Sequence, residues 1–252
     1  HTRFRNVTGV QTCALPISTL RYYGPNVSAW NAWLNTSVYE TLLGLHPVSL
    51  EYIPGLATHW QIAEDKKTFK FRINPNAKWS DGQPVVADDV VASWSFYMDK
   101  GLNDPPLPLM FGKFEKPVAE SKYIVRVKAN KNSWRNFLYF SNSMYIFPAH
   151  ILKSLDGATF IKDYNYKLFP GSGQYITGET GDVEKGKFVR LRRRKDYWAE
   201  NDRRNIGTGN FDELRTIVVR DRNLEFEMFK KGDLDYYAVN RAAMWAEELN
   251  FD

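Results

Sequence analysis

The sequence predicts an α/β fold with a mixed β-sheet. Three observations carry this expectation: short segments with alternating apolar residues, stripes with an apolar residue every three or four positions, and one strand–helix–strand run near the C-terminus. In that run, residues 214–219, 224–231 and 234–239 are joined by short connections, which makes a βαβ unit and predicts parallel strands.

Taken in order, residues 1–17 resemble translated sequencing adapter. Residues 7–17 are what one reading frame of a common library primer encodes, and His1, Thr2 and Arg3 fit the flow-cell end of the same adapter. With Ser18 as junction codon, residues 1–18 are set aside as an artefact before the fold is read. Residues 20–23 then read as a short strand stopped by the turn signal Gly24, Pro25, Asn26. Trp30, Trp33, Leu34, Val38, Leu42 and Leu43 form the stripe of an amphipathic helix.

Phe69, Phe71 and Ile73 share one face of a strand over 68–73, and Asp81-Gly82 marks a reversal of the chain. A helix follows from Asp88 to Lys100, its first-turn carboxylates matching the helix dipole. Pro105, Pro106 and Pro108 remove donors and fix φ, so residues 104–109 are expected to be a loop. Residues 123–128 alternate as a strand, and 188–192 as another, paired with the stretch after Gly171 through a glycine-rich connection. Asn223 is the expected N-cap of the last helix and Gly232 its stop.

Composition narrows the function classes. The single cysteine, Cys13, lies in the adapter-like segment, so the remainder offers no thiol nucleophile, disulfide or thiolate metal site. Setting aside Arg3 and Arg5 lowers the formal net charge from +5 to +3, which calls for no nucleic-acid partner. No run of 18 apolar residues exists to span a membrane. Residues 250–252 stop inside a helical pattern without a capping glycine, which predicts a second artificial end.

His46, His59 and His150 lack metal-site spacing, and no phosphate-binding glycine loop is present. Asp88 and Asp89 are consecutive on a helix, point apart, and form no acid–base couple. Arg190, Arg192, Arg193, Arg194 and Lys195 suggest either a phosphate site or the guard of an edge strand, and the second is preferred. No catalytic constellation emerges, and neither a cofactor nor a metal is expected.

The order of several short motifs is more specific. Tyr39-Glu40 with Leu42-Leu43, the run from Ile53 to Trp60, the run from Phe69 to Val85 and Asp88-Asp89-Val90 resemble the bacterial solute-binding proteins of family 5. Gly171-Ser-Gly-Gln-Tyr175, Arg194-Lys-Asp-Tyr-Trp198 and Lys231-Gly-Asp-Leu-Asp235 extend the resemblance over residues 19–252. Asn210-Phe211-Asp212 with Arg220-Asp221 resembles the branch that takes longer peptides. One departure is Val86, where the family places a threonine N-cap.

The resemblance implies a periplasmic-binding-protein-like lobe with a mixed sheet and an accessory α/β subdomain, and it covers only the first half of a typical member. Residues 19–44 and 166–252 would form the first lobe, and 45–165 its accessory subdomain, with the second lobe beyond residue 252. It implies a non-enzymatic ABC-importer receptor, periplasmic or lipid-anchored outside the cell, monomeric, binding a peptide and meeting the permease subunits. Ligand contacts would come from Asn26, Val27, Ala29 and Trp30, from Met110 and Phe111, and from Val239 and Asn240. An oligosaccharide receptor of the same family is the alternative, favoured if Trp30, Trp33 and Trp134 are exposed along one cleft. An unrelated enzyme is a second, requiring converging polar groups with perturbed pKa.

Overall fold

The computed structural model describes residues 8–13, 17–239 and 242–247. In chain order the strands are β1 (Thr8–Cys13), β2 (Leu43–Leu45), β3 (Tyr52–Pro54), β4 (Ala57–Ile62), β5 (Thr68–Ile73), β6 (Val118–Ser121), β7 (Ile124–Lys128), β8 (Tyr175–Ile176), β9 (Val183–Glu184), β10 (Phe188–Arg193) and β11 (Glu213–Val218). The helices are α1 (Ala29–Val38), α2 (Ala87–Tyr97), α3 (Pro106–Phe111), α4 (Arg135–Asn142), α5 (Ala149–Leu152), α6 (Gly157–Asp163), α7 (Arg222–Lys230) and α8 (Ala242–Glu247). The chain divides into two compact units, residues 18–178 with 193–209, and residues 1–17 with 179–192 and 210–252.

The larger unit is built on an antiparallel sheet in the order β4-β5-β7-β6. Alternation in β5 buries Phe69, Phe71 and Ile73 and turns Lys70 and Arg72 outward; β7 likewise buries Val125 and Val127. The apolar face is covered by α4, whose Phe137 stacks on Phe71 at 5.6 Å and whose Phe140 lies 6.0 Å from the same ring. Burying a phenylalanine here contributes about 2–3 kcal/mol. On the other face Glu120 joins Lys70 at 2.8 Å and Arg126 at 3.0 Å across three strands.

A second aromatic cluster, with Tyr23, Tyr39, Phe96, Tyr97, Phe147, Phe160 and Phe169, forms where α2 meets α5 and α6. Asp89 is the polar pin of this region. It is buried and accepts from Val86 N (2.7 Å), Trp79 Nε1 (3.3 Å) and Ala149 N (2.7 Å), while Asp88 on the same helix is exposed. The two neighbouring carboxylates do point apart.

Several local expectations are corrected. Residues 20–23 form no strand: Asn31 and Asn35 side-chain amides bind the carbonyls of Thr19 and Leu20, and Leu20 N reaches Asn165 O at 2.7 Å, so side chains replace a ladder. The first helix ends at Val38, and Leu43 of its apolar stripe belongs to β2. Residues 106–111 are helical, not loop, because Pro106 and Pro108 sit in the first turn, where backbone N–H groups have no helical acceptor anyway.

In the smaller unit, β11 runs antiparallel to β10 and parallel to β1, in register from Thr8 with Glu213 to Cys13 with Val218, and β9 pairs antiparallel with β10. The helix after β11 is capped by Asp221, not Asn223; its carboxylate accepts from Asn223 N and Leu224 N. Residues 234–239 form no strand beyond a bridge at Tyr236, so the parallel pair of the predicted βαβ unit is absent there. The basic run is no edge guard either, since β10 is flanked on both sides. Arg192 is matched by Asp182 (2.9 Å), Glu179 (3.0 Å) and Glu213 (3.1 Å).

No helix among the described residues is long and apolar enough to cross a membrane.

Candidate functional site

The predicted contact segments at 26–30 and 110–111 both lie in the larger unit, and the structure ties their flanks together. Gly24 N donates to Asp104 Oδ2 at 2.8 Å, and the Tyr23 ring meets Tyr97, which stacks on Phe111 at 5.0 Å. Gly24 has φ +89°, and a Cβ there would lie 2.3 Å from Ile161 and 2.9 Å from Leu102 O, so only glycine fits. Arg21 organises the loop from below. Its buried guanidinium donates to Tyr23 O (2.9 Å), Pro25 O (3.0 Å) and Asn165 Oδ1 (3.2 Å), and burial lowers its pKa.

The individual residues divide by exposure. Asn26, in the left-handed region at φ 65°, and Val27 are exposed, whereas Trp30 is buried with its indole N–H unpartnered among the described residues. Ala29 opens α1, whose N-cap Ser28 is held by Asn31 Oδ1 at 2.8 Å. Met110 is half-buried; Phe111 is core and its carbonyl accepts from Trp94 Nε1 at 3.0 Å, while Pro106 and Leu109 are the exposed residues of α3. Val239 is half-buried in the smaller unit, and Asn240 lies outside the described residues.

Sequence reasoning missed a pocket of mixed lining, about 310 Å³, beside the end of α1, lined among others by Glu40, Thr41, Pro54, Gly55, Tyr145 and Arg204. Two of the quoted motifs interlock at its wall. Glu40 accepts from Tyr197 Oη (2.8 Å) and Trp198 Nε1 (3.1 Å), while Arg204 stacks over the Trp198 ring and donates to Gly55 O and Pro54 O. Burial pushes the Glu40 carboxyl above the usual range, against the bonds from Tyr197 and Trp198 and the positive Arg204. The tyrosine–glutamate and tyrosine–tryptophan spacing was the available signal for this contact; Arg204 and Tyr145 carried none.

Arg194, at the start of the Arg194–Trp198 motif, is a buried clamp. It donates to Gly171 O (3.0 Å), Gly173 O (3.3 Å) and Trp79 O (3.4 Å) and pairs through two nitrogens with Asp196 at 3.2 Å. Its role is to hold the glycine turn and the Trp79 turn, not a phosphate. No cluster of metal-ligating side chains occurs among the described residues.

The sequence model of the bacterial extracellular solute-binding proteins, family 5 middle, matches residues 51–251. The peptidoglycan-binding protein YepA of Agrobacterium fabrum is 30% identical over 234 residues, covering 88% of this chain and 36% of that protein. Among solved structures, the oligopeptide-binding protein AppA of Bacillus subtilis, in complex with a nonapeptide, superposes with a TM-score of 0.77 at 20% identity, over 97% of this chain and 47% of that one. A mannohexaose-bound periplasmic oligopeptide-binding protein of Thermotoga maritima gives 0.77 at 19% identity, over 98% and 44%. The chain spans about a third of the length of the curated relatives it matches. The mixed α/β architecture is thus that of a periplasmic-binding-protein-like lobe, and the chain belongs to the bacterial extracellular solute-binding proteins of family 5.

Proposed function

We propose that this chain is part of the substrate-binding component of an ABC importer, supplying one wall of a cleft that closes on a peptide and delivers it to the membrane permease. In this reading residues 19–44 and 166–252 form the first lobe and 45–165 its accessory subdomain. The protein works outside the cytoplasmic membrane as a monomer, without enzymatic chemistry and without nucleic acid. Capture then requires only that the closed state bind the peptide better than the open one.

The observation that carries the peptide reading is the loop at Asn26 and Val27, exposed and tied down at residues 23–25 by Arg21 and Asp104. Peptide receptors gain sequence-tolerant affinity from backbone groups fixed in this way. The oligosaccharide alternative asked for three indoles along one cleft. Trp30 is buried and Trp33 half-buried, while Trp134 is exposed, which supports peptide over sugar. Calorimetry on the complete reading frame tests it. A mixed peptide library should bind with Kd of about 1 μM, near −8 kcal/mol, and mannohexaose at least a hundredfold more weakly. The reverse order would replace peptide by sugar.

A further inference from the structure

We propose a second binding site on the larger unit, for a compact solute that carries two or more negative charges. A pocket of about 540 Å³ lies between the corner at Gly112-Lys113, the loop 130–133 and α4. Lys113, Lys131 and Arg135 line it, and no carboxylate does. None of these three cations has an ion-pair partner among the described residues, although Lys70, Lys128 and Arg126 on the adjacent sheet are all paired with glutamates. Glu115, the first acid after the corner, is turned to Lys128 at 3.8 Å.

The walls are fixed rather than loose. Asn130 donates through its backbone to Lys113 O (2.8 Å) and through its side chain to Gly112 O (3.0 Å). Asn136, buried, donates to Lys131 O at 2.7 Å and so anchors the loop to α4. Two of the three charges are also steadied by aromatic faces: Lys113 over Tyr139 at 4.9 Å and Arg135 over Trp134 at 5.0 Å. Three like charges around one concavity repel each other, and an anion seated among them removes that repulsion while gaining attraction to each. One charge on the ligand would satisfy a single cation; several are needed to match three. The pocket is half open to solvent, with its three cations exposed, and its volume suits a small solute. The site is separate from the Asn26 loop and from the Glu40 pocket, and shares no lining residue with the latter.

Titration calorimetry of the 252-residue chain with citrate and with pyrophosphate, at low ionic strength, tests the site. At least one should bind in the micromolar to low-millimolar range. Its affinity should fall at least tenfold in Lys131→Ala and in Arg135→Ala, stay unchanged in Lys187→Ala, and weaken in 0.5 M salt. Binding of citrate alone identifies a polycarboxylate site, and of pyrophosphate alone a phosphate site. In the unsubstituted chain, citrate or pyrophosphate should shift amide resonances of residues 112–113 and 130–136, a readout independent of how the variants fold. Absence of binding by both anions, or equal loss in all three variants, would overturn the proposal.

Discussion

Two residues decide how firmly the site is held. Gly24 adopts φ +89° against Ile161 and Leu102, so Gly24→Ala should cost about 2 kcal/mol through left-handed strain alone. Urea unfolding of the variant checks this, and an unchanged midpoint would mean that the loop relaxes freely. Glu40 gives a pH signature. Its folded-state pKa is raised by burial above the ordinary 4.5, so the folded chain holds that proton more tightly than the unfolded chain does. The stability Glu40 contributes is therefore fully present below pH 4.5 and lost as pH rises through the folded value. The difference in unfolding free energy between the native chain and Glu40→Gln, which cancels the similar effect of Asp89, should fall as pH rises above 4.5. A difference independent of pH would sink the assignment. Neither residue announced its role in the sequence: Gly24 read only as a turn, and Glu40 only as part of a motif.

At the scale of elements, α2 offers the sharpest check. Its N-cap Val86 has extended backbone (φ −133°, ψ 169°) but no side-chain acceptor, while Asp89 supplies the reciprocal half by accepting from Val86 N at 2.7 Å. Val86→Thr completes the box and should stabilise by about 1 kcal/mol, raising Tm by about 2–4 °C; a calorimetric scan measures it. Elements whose own side chains pay out a clear period were legible: β5, β7 and α2 appear within a few residues of where alternation or helical spacing placed them. Elements settled by distant partners were not. Residues 20–23 have strand-like composition, yet Asn35 and Asn165 take the backbone groups of Leu20, and Asn31 takes the carbonyl of Thr19 just before it. Residues 104–109 have loop-like composition, yet their prolines fall where a helix tolerates them. Arg194 looked like surface charge because nothing local reveals that it is enclosed by the backbone of residues 79, 171 and 173.

For the molecule as a whole, the family and architecture were readable because ordered motifs survive where overall identity is low. The proposed contact residues were expected only as segments, and within 26–30 and 109–111 exposure alternates with burial that distant rings impose. A receptor that clamps its solute loses most of its affinity when one wall acts alone. The 252 residues by themselves should accordingly bind peptides at least about a hundredfold more weakly than the complete reading frame, a difference of about 2.7 kcal/mol; parallel calorimetry on the two proteins decides this, and equal affinity would refute the clamp. The arrangement around Arg21 also fixes the polarity of that wall. The guanidinium is buried and occupies the oxygens of Tyr23 and Pro25, so neither its charge nor those two carbonyls is left for a solute. An incoming solute would therefore meet this rim with the Arg21 charge already spent inside the protein, and removing that guanidinium would leave two carbonyls beneath the loop without their donor.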